Sequence, residues 1–241
     1  MLPLQDINPR RRFPIITFGL IGVNVLVFLW TLLMSQEEIQ SLFVNLSVVP
    51  ANITADPFSL EAVLDVFRSM FFHGGWFHLL GNMLYLYLFG DNVEDRLGAV
   101  FYLFVYFGSG IAASTAQILI DPNSTIPLVG ASGAIGGVLG AYLVFFPGVR
   151  VRGIIPLGFF SRIAEWPAWA VLGLWFALQI VEGALSLNTG GEAGGGVAFF
   201  AHIGGFVFGL VCAWIFMRIV PQPPAAERRN VLYERAKRYR F

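Results

Sequence analysis

Ser132 stands in the run Gly130-Ala131-Ser132-Gly133-Ala134-Ile135-Gly136-Gly137-Val138-Leu139-Gly140, within a stretch from Pro122 to Val149 that carries no charge. A serine hydroxyl is a weak nucleophile at neutral pH and attacks only with a base in hydrogen-bond reach. His202 is the candidate base. It lies in Ala201-His202-Ile203-Gly204-Gly205, where Ala201, Gly205 and Gly209 recur at four-residue spacing. Gly133, Gly137 and Ala141 form a matching stripe beside the serine. Small residues at that spacing let membrane helices approach closely, so two apposed stripes would carry the imidazole to Ser132. The competing reading makes Ser132 one more small residue of a helix-packing seam and His202 a histidine bonded to a neighbour.

His78 and Asn82 are four residues apart, which puts them on one helical face, and both side chains can donate hydrogen bonds. Acyl transfer needs donors aimed at the developing oxyanion, each often worth about 3 kcal/mol. The backbone N–H of Ser132 would add another. No Asp or Glu lies in the apolar runs that hold Ser132 and His202, so the expected machinery is a Ser-His dyad without the third member of a triad. A metal site fails on spacing: His73 and His78 are five apart and no H-E-x-x-H occurs. No metal or other cofactor is expected.

These groups need a frame. The chain is 56% hydrophobic and 12% charged, with 24 Phe, against about 25% charged in soluble domains. That composition describes one all-α polytopic membrane domain in the lipid bilayer. A net charge of zero points to no nucleic-acid partner. Cys212 is the only cysteine, which excludes an internal disulfide. Six apolar runs are expected to cross: Phe13–Gln36, Gly75–Gly90, Leu97–Ile120, Leu128–Phe146, Trp166–Leu185 and Val197–Ile219. The first is too long for a signal-peptide core and no A-x-A site follows it. The expected organisation is a cytoplasmic segment 1–12, a six-helix membrane domain 13–220 and a basic cytoplasmic tail 221–241. Ile39, Leu42, Phe43 and Leu46 suggest one short interfacial helix in the first long connection. Pro147–Glu165 reads as a loop and Leu187–Gly196 as a glycine-rich link.

Of the 15 Lys and Arg, only Arg68 falls on the side opposite the N-terminus. By the positive-inside rule both termini are cytoplasmic, and the plasma (inner) membrane is the expected location. The second, fourth and sixth helices then run from outside to inside. His78 and Asn82 sit near the outer end of the second, and Ser132 and His202 about one turn into the fourth and sixth. At 1.5 Å per residue all four share one depth. Ionisable groups inside a membrane are costly and face the interior or a water-filled cavity, which marks His78 and His202 as functional candidates. Gln179 and Glu182, in the fifth run, could line a transport path, but interhelical or interfacial hydrogen bonding suits them better because Glu182 lies near the outer end. No inverted repeat supports a transporter.

The segments His73-x-x-x-x-His78-x-x-x-Asn82, Glu94-Asp95-Arg96-Leu97-Gly98, Gly130-Ala131-Ser132-Gly133 and Ala201-His202-Ile203-Gly204-Gly205 with Gly209, in this order, resemble the rhomboid family of intramembrane serine proteases. The resemblance spans roughly Met70 to Ile219. It implies cleavage in or next to the transmembrane segments of membrane-protein substrates, with Ser132 as nucleophile and His202 as base. His78, Asn82 and the Ser132 amide would form the oxyanion site, supported by His73, and Gly205 would belong to the helix seam. Two departures stand out. Some members have an aromatic four residues after the nucleophile, where this chain has Gly136, and some have a Trp-Arg pair in the first outer loop, which is missing here. A catalytically silent rhomboid-like protein that binds membrane helices for quality control is the alternative. Such relatives typically lack the Ser or the His.

Overall fold

The computed structural model describes residues 2–157, 160–188 and 198–221. The chain begins with strand β1 (Leu2–Asp6) and enters helix α1 (Ile15–Thr31). Three helices follow where one interfacial helix was expected: α2 (Gln36–Leu46), α3 (Pro50–Ala55) and α4 (Leu60–Ser69). Local chemistry separates them. Ser35 and Glu38 form a reciprocal capping box at the start of α2, Pro50 stands in the first turn of α3, and Ser59 Oγ accepts from the Ala62 N–H to start α4. Helix α5 (Trp76–Tyr85) continues through a π-helical turn (Leu86–Gly90) into α6 (Asp91–Leu97), which ends at Gly98 with φ of 76°. Helix α7 (Ala99–Ile120) leads to α8 (Ser132–Phe145).

Pro147–Glu165 is not a simple loop. Strands β2 (Arg150–Leu157) and β3 (Phe160–Pro167) pair antiparallel, and β1 joins the other edge of β2, giving the order β1-β2-β3. Buried Val151 faces Trp166 across the ladder, and Arg152 pairs with Glu165 directly opposite, with Nη2 to Oε1 at 2.6 Å. Such cross-strand pairs set register. Helix α9 (Ala168–Asn188) and helix α10 (Phe199–Ile219) complete the fold. Most of the expected link, and the tail from 222 onward, lie outside the described residues. Among the described residues α7, α9 and α10 are long and apolar enough to cross a membrane, and α1 and α8 are shorter apolar helices.

Helix α8 is the axis. Every residue from Gly133 to Tyr142 is buried, as expected for a helix apolar on all sides. Helix α10 lies along it with backbones in contact. A Cβ placed on Gly205 would overlap the Gly133 carbonyl, one on Gly209 the Gly137 carbonyl, and one on Gly140 the Phe206 carbonyl. The two small-residue stripes therefore do face each other. Because α8 is enclosed by protein, it need not reach the roughly 20 residues that a lipid-facing span requires.

The Glu94-Asp95-Arg96 turn ties the ends of this arrangement. The buried Glu94 carboxylate accepts hydrogen bonds from the Ile16 and Thr17 N–H groups and from Thr17 Oγ1, capping α1. Asp95 pairs with Arg11, and Arg96 donates to the Val220 carbonyl at the end of α10. Acid at a helix N-terminus and base at a C-terminus satisfy orphan backbone groups and suit the helix dipole.

Candidate active site

Ser132 is the first residue of α8, not one turn inside a longer helix. The preceding chain is held away from helical geometry by distant partners. The Leu128 N–H donates to the Val48 carbonyl at 2.8 Å, and the Gly130 N–H to the Ser69 carbonyl at 2.9 Å. Gly130 has φ of 127°, a left-handed conformation that favours glycine. Ser132 consequently lies in the first turn, where backbone N–H groups have no intrahelical acceptor and the dipole favours negative charge.

The Gly133–Gly205 contact seats α10 so that His202 Nε2 lies 2.8 Å from Ser132 Oγ. The other ring nitrogen, Nδ1, lies 2.6 Å from Gln179 Oε1 on α9. The runs of Ser132 and His202 hold no acidic residue, and the polar group at this second ring nitrogen comes from a third helix. Trp175, one turn earlier on α9, sets its ring 6.0 Å from the His202 ring at a 35° tilt. The α8 position that holds an aromatic in some rhomboids is Gly136 here, and it lies close to the α10 backbone. A Cβ on Gly136 would stand 3.1 Å from the His202 carbonyl.

His78 approaches Ser132 from α5. Its Nδ1 accepts from the Gly74 N–H over a long 3.4 Å, which leaves Nε2 to carry the ring proton as a donor. The space between His78 and Ser132 is open because Gly130 lacks a side chain. A Cβ there would lie 2.6 Å from His78 Nε2 and 3.6 Å from Ser132 Oγ. Asn82 is buried, lines the same cavity, and its Nδ2 has no partner among the described residues. A buried unpaired donor costs stability, so an amide kept in that condition beside a nucleophile suits a developing anion. His73 is buried with its ring edge-on to that of His78, centroids 5.0 Å apart. Ser132, His202, His78 and Asn82 thus line one cavity of about 750 Å³, otherwise walled largely by apolar groups such as Met70, Ile135 and Trp175. Gly205 lies behind the pair in the seam. The arrangement can deprotonate a hydroxyl, stabilise an oxyanion beside it and return a proton to a leaving group.

Residues 61–219 match the Rhomboid domain family. Rhomboid protein 1, mitochondrial, of Saccharomyces cerevisiae is 28% identical over 213 residues, covering 85% of this chain and 54% of the yeast protein. Rhomboid-like protein 11, chloroplastic, of Arabidopsis thaliana is 29% identical over 155 residues, or 62% of this chain and 51% of its own. Rhomboid protease AarA of Providencia stuartii is 26% identical over 234 residues, or 89% of this chain and 78% of its own. The chain spans about half the length of the yeast and plant relatives.

Proposed function

Because the chain belongs to the rhomboid family, we propose that it is an intramembrane serine endopeptidase acting on peptide bonds in or next to the transmembrane segments of other membrane proteins. The family generally consists of intramembrane serine proteases. The observation that carries the proposal for this chain is the 2.8 Å approach of His202 Nε2 to Ser132 Oγ, inside a cavity that also holds the donors of His78 and Asn82.

The steps follow from the atoms. Ser132 Oγ attacks the scissile carbonyl carbon as His202 Nε2 takes its proton. The carbonyl oxygen becomes an oxyanion, accepting from His78 Nε2–H, Asn82 Nδ2–H and the Ser132 N–H. Collapse breaks the C–N bond, and His202 gives its proton to the departing amine. The acyl group stays on Ser132 until a water, deprotonated by His202, attacks its carbon. The C–Oγ bond then breaks, His202 returns the proton to Ser132 Oγ, and the acyl group leaves as a carboxylic acid that ionises. Covalent labelling by a fluorophosphonate tests this. The detergent-solubilised protein should carry the label on the peptide containing Ser132. Labelling elsewhere, or none, would leave the helix-binding, catalytically silent reading.

The six-span topology belongs to the same proposal. Helix α5, the π turn and α6 run without interruption from Trp76 to Leu97, which supports a further crossing beside α1, α7, α8, α9 and α10. Residues 13–220 would form the membrane domain, with 1–12 and 221–241 cytoplasmic, in a plasma (inner) membrane. Exposed positions give the test. A cysteine at Asp121 should react with an impermeant thiol reagent on intact cells, and one at Arg150 should not. The reverse pattern would overturn the orientation.

A further inference from the structure

We propose that Gln179 is a positioning residue for the base, holding His202 in the tautomer and ring orientation that catalysis requires; this rests on the Ser132–His202 reading. A neutral imidazole carries one proton, on either nitrogen. Only the form with the proton on Nδ1 leaves a lone pair on Nε2 to accept from the serine. The Gln179 carbonyl oxygen, 2.6 Å from Nδ1, is an acceptor and selects that form. The ring is then held at two points, Nδ1 to Gln179 Oε1 and Nε2 to Ser132 Oγ.

Three further observations point the same way. Gln179 is only 8% exposed, on a helix otherwise rich in apolar residues, and a buried amide is costly without a partner. Trp175 and Gln179 are four residues apart, so one face of α9 presents both an indole to the imidazole face and an oxygen to its edge. Finally, α8 carries Gly136 close to the His202 carbonyl and so presents no ring to the imidazole from that position. The backbone of His202 is therefore set by the glycine seam with α8, while its ring is set by α9. An amide takes the place of the carboxylate of a triad, without adding a charge to the membrane interior.

Two measurements on the detergent-solubilised full chain decide this. The first is the rate of inactivation by a fluorophosphonate, resolved into kinact and KI. Gln179→Met keeps length and removes the acceptor, and it should lower kinact about 10²-fold, the scale of a misplaced reacting group, with KI unchanged. Gln179→Glu keeps an oxygen acceptor and should recover most of the rate. The second is ¹⁵N NMR of imidazole-labelled wild type, which needs no variant to fold. His202 should show its proton on Nδ1. Wild-type kinact in Gln179→Met, equal losses in the Met and Glu variants, or a proton on Nε2 would each overturn the assignment. Failure of the parent reading looks different, because wild type would then not label on Ser132, or His202→Ala would label at the wild-type rate.

Discussion

Ser132→Ala and His202→Ala are each expected to lower cleavage of a single-span reporter protein by on the order of 10⁴-fold or more, and the double variant is expected to be no worse than either alone. Nucleophile and base act as one unit, so losing either removes the whole proton-coupled attack, and such effects are strongly non-additive. The geometric ground is the 2.8 Å approach of Nε2 to Oγ. Both variants should fold, because Ser132 stands at a helix start and His202 reaches into a cavity rather than into the glycine seam. Reporter cleavage in liposomes, with thermal unfolding in detergent alongside, provides the measurement. Two losses that multiply in the double variant would show that the residues act separately, and a His202→Ala variant that cleaves normally would make the histidine structural.

Gly130→Ala should cost about 10² to 10³ in rate, the scale of losing an oxyanion donor, with a stability loss of only about 1–3 kcal/mol from backbone strain. Two effects coincide there. The backbone has φ of 127°, which an alanine rarely adopts, and the added methyl would lie 2.6 Å from His78 Nε2 and 2.7 Å from Cε1. The imidazole must swing away from the space beside Ser132 Oγ, or the turn before α8 must rearrange. Either removes a donor from the position where the oxyanion would form. Gly19→Ala is the control, since nothing lies within 4 Å of a Cβ on that α1 residue. It should leave the rate unchanged. Equal rates for Gly130→Ala and wild type would mean that this space is not the oxyanion site, and the roles given to His78 and Asn82 would fall with it.

Much of the site is legible in the one-dimensional pattern because its determinants are local. The small-residue stripes of Gly133, Gly137 and Ala141 and of Ala201, Gly205 and Gly209 are visible at four-residue spacing, and a helix turns that spacing into a face without further information. His78 and Asn82 share a face for the same reason. The polar residues in apolar runs are conspicuous because ionisable groups are rare in such surroundings.

What needed the tertiary structure was every feature whose cause lies far along the chain. Ser132 begins its helix because Val48 and Ser69 hold the backbone around Leu128 and Gly130, and hydrophobic periodicity runs smoothly through that break. The Pro147–Glu165 stretch holds a strand pair because β2 and β3 form a continuous ladder and β1, from the other end of the sequence, covers the second edge of β2. Glu94 caps a helix by bonding to Thr17 in its first turn, 77 residues earlier in the chain. Gln179 was visible as a polar residue at depth, but which neighbour it meets depends on how α9 is rotated against α10. By itself the sequence determined which polar groups stand among the apolar runs and the helix faces that carry them, because those depend on spacing within one helix. Only the packing of α8, α9 and α10 decided that the His202 ring meets an amide from a third helix, because the orientation of a side-chain ring is set by the atoms that surround it in space.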